Sequence, residues 1–494
     1  MNRTRSRIAL ALLLAVVALQ SSALAHIGSP DIFLEGQAGP YRLLVTVRPP
    51  HAIPGVADVE VLTTSDDVRD VRIVPLPLTG AGAQFAPVAD RALRSTEDPR
   101  MFTGHLWLMS AGAWQVRVTV SGDRGGGTLS VPVPTLPQST LGMTTGLRAT
   151  LFALMLLLAA GFIGIISAMA REAGLAPGAV LDPRSRRHGW IAGAMATLVV
   201  TVIVFLGNRW WSAEASSYDA YVYKPLTATT AIAPDARLTL ALQDPGWIAS
   251  RRLDDFVADH GHLMHLFIVS PALDRLWHLH PSESATGAFE QPLPDVPAGQ
   301  YELFADLVHA TGVSETVTGT INTAAIHGTP LAGDDSAWND AAVVSGFSRT
   351  PEGFSRTPYR PTLESRTDDG GRIVWARDDR PLVTKHLTMF TFRVEDANGQ
   401  PARDLELYMG MPGHAIFVRK DRKVFAHVHP SGSAPMAAME IAMPSSGGAM
   451  HHEMALPSTV SFPYGFPQSG DYRIFVQVKR AGRVVTRVFD ATVP

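Results

Sequence analysis

Short runs in which apolar and polar residues alternate fill most of the chain, and this period of two predicts β-strands. Between Tyr41 and about Leu136 the runs are Arg42 to Arg48, Val56 to Leu62, Val71 to Leu76, His105 to Met109, Trp114 to Val120 and Leu129 to Val133, with Gly and Pro turns between them. That spacing predicts an antiparallel sandwich of roughly immunoglobulin size that needs no helix. The alternation then gives way to a continuous apolar run at 149–170 and a shorter one at 190–208, both read as membrane-spanning helices. It resumes at Arg237 to Leu242 and continues to about Ile321, and a last β region runs from Arg372 to Pro494. The stretch 324–369, rich in Gly, Pro, Ser, Thr and Asp, reads as a linker; in it Gly-Phe-Ser-Arg-Thr-Pro at 346–351 recurs at 353–358 as a tandem slip. The fold class expected is mainly β: three Ig-like antiparallel β-sandwich domains at 26–136, 214–323 and 370–494, plus a two-helix transmembrane hairpin. A length of 494 residues agrees, since domains of about 150 residues give roughly three.

The ends of the apolar runs set the expected topology. Residues 1–25 carry Arg3, Arg5 and Arg7, an apolar stretch from Ile8 to about Leu19, then Ser-Ala-Leu-Ala, the three-part form of a signal peptide cleaved after Ala25. An uncleaved first membrane helix is the alternative. Arg171, Arg184, Arg186, Arg187 and His188 make the loop 171–189 positive, which places it in the cytoplasm and the β domains outside. Trp190, Trp210 and Trp211 flank the second span as interface residues. Neither span holds Asp, Glu, Lys or Arg, so the pair reads as an anchor rather than an ion path. The expected location is a bacterial inner membrane with the β domains facing the periplasm or cell exterior.

Composition narrows the chemistry. A net charge of -3 without long charged blocks removes nucleic acid as a partner. The absence of cysteine excludes thiolate catalysis, disulfides and zinc-thiolate sites, so any metal is held by nitrogen, oxygen or thioether. The 17 histidines and 16 methionines cluster unevenly. Two segments share the spacing His-x12-His-x-His-Pro without a gap: His265, His278 and His280, and His414, His427 and His429. With a turn at Asp421-Arg422, His414 falls opposite His429 and Ile416 opposite His427; the same arithmetic pairs His265 with His280. Residues two apart share a face, so each hairpin projects three imidazoles to one side.

Upstream, His260-Gly261-His262 in one copy matches Met409-Gly410-Met411 in the other, equally far from His265 and His414. Copper accepts imidazole as the cupric ion and thioether as the cuprous ion, whereas zinc has little use for methionine. Met436, Met439, Met443, Met450, His451, His452 and Met454 form an insertion that reads as a flexible copper-collecting loop, or as plain loop. Core histidines satisfied by carbonyls are the alternative for the hairpins. Asp306 and His309 read as surface residues rather than supports of a site, and His51 and His105 as structural. His26, the expected mature N-terminus, can chelate cupric ion through its amine and ring, with Asp31 or His51 to complete the site.

The phrases Tyr408-Met-Gly-Met-Pro-Gly-His414 and Phe425-Ala-His-Val-His-Pro430, with their counterparts from His262 to Pro281, resemble the YtkA-like family of small exported β-sandwich domains. The N-terminal region, with His26-Ile-Gly-Ser-Pro and Gly39-Pro-Tyr, is similar to a more distant member of that group, and its histidine resembles that of CopC-like copper carriers, whose early sequence is otherwise not reproduced. The resemblance implies an Ig-like sandwich and a role in copper handling or oxidase maturation. The expected function is therefore a membrane-anchored periplasmic copper-binding protein for sequestration or delivery, not an enzyme, with exported copper proteins or oxidase assembly factors as partners. Its ligands are His265, His278 and His280 in one site and His414, His427 and His429 in the other, with His260, His262, Met409 and Met411 as auxiliaries and His26 as a separate N-terminal ligand. A metal-free structural module of an envelope complex is the alternative, and a copper oxidase using His26 the third reading. No Ser-His-Asp set, phosphate loop or paired-carboxylate arrangement supports hydrolysis or phosphoryl transfer.

Overall fold

The computed structural model describes residues 31–176, 178–247, 251–339, 363–443 and 456–494. The signal-like segment, His26, the tandem copy and Met450 to Met454 lie outside the described residues. The described residues are mainly β, with several sheets and two long apolar helices.

In the first β unit the alternation becomes burial: Tyr41, Leu43, Val45 and Val47 of one strand are all buried in the core. One sheet runs in the order Ile32–Ala38, Tyr41–Arg48, Gly55–Thr63, Met101–Leu108 and Leu93–Arg94; the facing sheet holds Asp90–Arg91, Val68–Pro77, Gly112–Gly122 and Gly125–Thr135. Every predicted run falls within one of these strands apart from Met109, which lies one residue past a strand end.

The middle unit is one nine-stranded sheet, Thr227–Ile232 to Ser336–Asn339, that curls around its own core. Its last strand, Ser336–Asn339, pairs with Arg275–Leu279. The stretch read as linker from Ala324 thus supplies an edge strand, because four residues that look like loop in isolation find an open hairpin edge to pair with. The last unit has two sheets: Glu364–Arg366, Arg372–Trp375, Thr388–Glu395 and Thr459–Tyr464 in one, and Leu405–Glu406, Gly470–Arg480, His414–Arg419 and Phe425–Val428 in the other, with Arg483–Val493 beside Gly470–Arg480.

Helix α1 (Thr145–Glu172) and helix α2 (Pro183–Asp219) form an antiparallel pair. Thr144 caps the first by accepting from the Leu147 amide, and Asp182 caps the second by accepting from Ser185, with Pro183 in the first turn where its missing N–H is harmless. Both are long and apolar enough to cross a membrane, and their apolar side chains face outward. The second is longer than its apolar run because nothing breaks it at either end of that run. Gly189 lets the pair approach closely: a Cβ there would sit 3.0 Å from Arg171, and its carbonyl accepts from Ser167 Oγ at 2.9 Å.

Candidate metal centre

The two histidine hairpins are buried on both faces, which is unusual for antiparallel strands. In the middle unit Met264, Leu266 and Ile268 face the unit's own core, while Phe267 and Val269 belong to a separate cluster with Ile416, Val418 and Phe425 of the last unit. In the last unit Ala415 and Phe417 face inward and Ile416 and Val418 outward. The outward faces are therefore pressed against one another. Phe304 stacks on Phe425 at 4.3 Å, Arg473 Nη1 donates to the Leu273 carbonyl at 3.0 Å, and Arg422 pairs with Glu302 across the seam.

The register follows the expected arithmetic. Leu266 faces Leu279 and Phe267 faces His278; Ala415 faces Val428 and Ile416 faces His427. The ladders end there, so His265 and His280, and likewise His414 and His429, lie just beyond the last paired residues. The hairpin loops are alike too: Leu273 and Arg422 are left-handed at matched positions, with φ of 55° and 61°.

Upstream, Asp259 and His262 exchange backbone hydrogen bonds, as do Tyr408 and Met411. The central residues His260, Gly261, Met409 and Gly410 all have positive φ, so each is a tight mirror-image turn that glycine makes possible. The first turn carries His260 back over the histidine faces, against His265, His414 and His429.

Because the faces meet, eight histidines from both units share one chamber. His278 and His414 are fully buried, His265 and His429 nearly so, and His260, His280 and His427 keep 5% or less of their side-chain surface. Burial disfavours charge, and the neighbouring imidazoles add to this, so His265, His278, His414 and His427 are held neutral well below the usual histidine range and His429 is lowered to about 4. A neutral imidazole keeps one lone pair, the form that binds metals.

Hydrogen bonds decide where those lone pairs point in the first trio. His265 Nε2 lies 3.0 Å from the Asp259 carbonyl, which can only accept, so the proton sits there and Nδ1 is bare. Gln477 donates its amide to Ser336 Oγ and Thr486 Oγ1 and presents its oxygen to His278 Nδ1 at 2.9 Å, leaving His278 Nε2 bare. Asp335 accepts from His280 Nδ1 at 3.0 Å, and His280 Nε2 is buried without a hydrogen bond among the described residues. His265 Nδ1 and His278 Nε2 then face each other at 3.2 Å. Two lone pairs that close repel unless a cation lies against both. His265, His278 and His280 can each offer one ligand atom within 4.8 Å of the others. A ligating histidine that donates its second nitrogen to a carboxylate, amide or carbonyl is the usual supported form of such a site.

The second grouping differs from the sequence expectation. His427 lies beside His414 and His429, with ring centres 5.3 and 4.6 Å away, but the set with converging ligand atoms is His260, His414 and His429. His260 Nε2 and His429 Nε2 are 3.2 Å apart. His427 instead sits between the groups, near His265 and His278, with Nδ1 3.5 Å from Asp306. The cause is the packing of apolar faces, which brings a turn of the middle unit over the last unit's hairpin. His262 stacks on His280 at 4.0 Å and bonds Asp334 at the chamber edge. Met409 and Met411 are buried in their turn.

Other residues are corrected. Asp306 is not a surface group: its carboxylate, 23% exposed within a cavity of about 140 Å³ that also reaches His265, His427 and His429, accepts from Thr316 Oγ1 and is raised by burial to about 7. His309 is buried and bonds Asp255 at 2.7 Å. Met439 and Met443 do not belong to a loose collecting loop. Helix α3 (Met436–Ala442) and Met443 just past its end pack on the first unit's core, and the Ala437 amide donates to Asp259. His51 and His105 are exposed, bonded to Gln138 and Asp58. Asp31 is buried beside Arg48 and is raised by burial. The supports Asp259, Asp335 and Gln477 were not singled out from sequence; strand register, which sets Gln477 opposite His414 as Asp306 stands opposite His265, makes Gln477 visible, whereas Asp259 and Asp335 lie outside the strands.

The first unit fastens the second grouping. Its strand Ile32–Ala38 bonds the segment after His429-Pro430: the Glu35 amide donates to the Ser431 carbonyl at 2.7 Å and the Ser433 amide to the Phe33 carbonyl at 2.9 Å. Gly432 is required there, since φ is 133° and a Cβ would lie 1.9 Å from the Phe33 carbonyl oxygen.

A family model described as a domain of unknown function (DUF8832) matches residues 366–494, the last β unit. No curated protein matches the chain. Among solved structures the chain is similar to a tetra-tandem repeat in the extending region of a large adhesion protein, at 10% identity over 90% of this chain and 71% of that one, with a TM-score of 0.15. It is also similar to Salmonella alpha-2-macroglobulin reacted with methylamine, at 11% identity and a TM-score of 0.19, covering 96% of this chain but only 24% of that one. A putative membrane anchored protein from Corynebacterium diphtheriae matches at 10% identity over 94% of both chains, with a TM-score of 0.15. Scores this low carry no argument about function.

Proposed function

We propose that the protein is a membrane-anchored copper-binding protein whose three β units are Ig-like sandwiches facing the periplasm, and that it sequesters copper or passes it to exported partners. The observation that carries this is the first trio, in which the Asp259 carbonyl, the Gln477 amide oxygen and the Asp335 carboxylate accept the N–H of His265, His278 and His280 and leave bare nitrogens turned toward one another. Imidazole ligands suit copper, zinc, nickel and iron, and copper binds most tightly among the divalent ions of this row. The exchange of His260-Gly-His262 for Met409-Gly-Met411 at matched turns, in a chain without cysteine, favours copper over zinc. The positive loop between the helices supports the orientation. The motif's resemblance to YtkA-like domains agrees with a copper-handling role.

The test is metal analysis of the full-length protein purified in detergent, followed by copper and zinc competition titrations. Copper should be retained against a zinc excess, and His278→Ala should release ion from this site with the melting profile still cooperative. A folded wild-type protein that takes up neither ion refutes the reading; preference for zinc refutes the copper assignment.

A further inference from the structure

We propose that His260, His414 and His429 form a second cation site that straddles the seam between the middle and last β units. Each can offer one ligand atom within 4.8 Å of the other two. The independent sign of a ligand is His414: it is fully buried, and neither ring nitrogen has a hydrogen-bond partner among the described residues. An imidazole buried in that state forfeits both of its hydrogen bonds to water, a cost native structures rarely carry without a compensating contact. A cation against one nitrogen supplies that contact. His429 Nε2 meets His260 Nε2 at 3.2 Å.

The three ligands come from separately fixed elements. His260 is set by the tight turn at 259–262, His414 by the strand paired with Gly470–Arg480, and His429 by a segment that the first unit's edge strand holds. No rearrangement of one hairpin is needed to bring them together. An ion here therefore ties the two repeats to each other, whereas all three ligands of the first trio come from the middle unit alone. The ligand class is a borderline or soft transition-metal cation. This deepens the proposed function and shares its assumption that imidazole-bound copper is the cargo.

The experiment is copper stoichiometry by equilibrium dialysis of the full-length protein in detergent, with cupric ion alone as the probe, on wild type and single variants. Wild type should hold two ions, and His260→Ala and His414→Ala should each hold one, although the two residues lie in different units. His278→Ala should hold one, and His278→Ala with His414→Ala none. His414→Gln, which keeps the volume and a hydrogen-bonding head, serves alongside the alanine variant, and each variant is scored only if it melts cooperatively. A wild type holding one ion that His278→Ala removes and His260→Ala does not overturns the second site while the proposed function stands. One ion removed by His260→Ala and not by His278→Ala overturns the first-trio reading and leaves this site intact. Loss of an ion with His427→Ala but not with His260→Ala returns the ligands to a single hairpin and overturns the straddling site.

Discussion

Gln477→Leu tests whether the first trio is set by proton placement rather than by proximity. Gln477 lies in the last unit but faces the middle unit's histidine: its oxygen takes the His278 Nδ1 proton at 2.9 Å, and its amide is pinned by Ser336 and Thr486 at 2.9 and 3.1 Å. Leucine keeps the volume and removes the acceptor. His278 Nδ1 then keeps only the longer contact to Tyr408 Oη at 3.3 Å, so its proton and the ring are held less firmly. Losing an outer partner of a ligating histidine weakens metal affinity about 10- to 100-fold, or roughly 1.4 to 2.7 kcal/mol. The metal-free protein should lose on the order of 1–3 kcal/mol as well, because Thr486 loses its amide partner and His278 and Ser336 keep only longer contacts to Tyr408 Oη, at 3.3 and 3.5 Å, in a dry site. Competition titration against a copper chelator measures the first effect and urea unfolding of the metal-free protein the second. The weakened ion must be the one that His278→Ala removes. An affinity within twofold of wild type, in a variant that shows the stability loss, would refute the proton-placement argument.

Other consequences follow from single contacts. Arg251→Ala removes the cation paired at 2.6 Å with Glu315, which is 1% exposed and is left with the Leu226 amide at 3.2 Å, so it should destabilise the middle unit by about 3–5 kcal/mol in urea unfolding. Met439→Ala should cost about 1–2 kcal/mol through lost packing on the first unit, with copper affinity unchanged; a fall in affinity would restore the collecting-loop idea. Chelator stripping should lower the melting temperature, since ligand at 100 times its dissociation constant contributes about 2.7 kcal/mol, and a Tm indifferent to copper would count against any ion in the chamber.

The strands, the helices and the hairpin register were legible because each depends on local periodicity and turn chemistry. The first strand, Ile32–Ala38, was missed because it precedes the first clear alternation, and its Phe33 serves the core of the last unit, not its own. The grouping of histidines was illegible for a related reason. Which imidazoles meet depends on how two units pack, and that is decided by Phe267, Val269, Ile416, Val418 and Phe425 on the histidine faces. One signal was available in the sequence: His265-Leu-Phe-Ile-Val and His414-Ala-Ile-Phe-Val are apolar at both parities, and a strand apolar on both faces needs a cover on each. Since both copies show it, each is a natural cover for the other. Asp335 lay out of reach, being a loop residue of a segment that reads as linker.

The repeats meet as a dimer of like subunits would, with each unit reaching across to the other's central histidine. Gln477 reaches His278, and at the matched strand position Asp306 reaches His427; Thr486 and Thr316 support them in turn. The symmetry breaks at that pair, because one member is a carboxylate. Burial raises Asp306 to about 7 from an ordinary value of 3.8, so the folded state binds its proton more tightly than the unfolded chain does. Its contribution to stability is complete below about pH 4 and is lost as pH rises through 7. The buried histidines act in the opposite sense: their lowered values make stability complete above about 6.5 and lost as pH falls, toward 4 for His429. Asp306→Asn separates the two in metal-free protein. The variant should be more stable than wild type at pH 8, by on the order of 2–4 kcal/mol at 1.36 kcal/mol per unit of pKa, and the gain should shrink to nothing near pH 4. Urea midpoints from pH 4 to 8 measure it. Parallel profiles for variant and wild type would mean that Asp306 is charged in the folded protein at neutral pH, paired with a protonated His427, and the picture of a chamber of neutral imidazoles would fail at that residue.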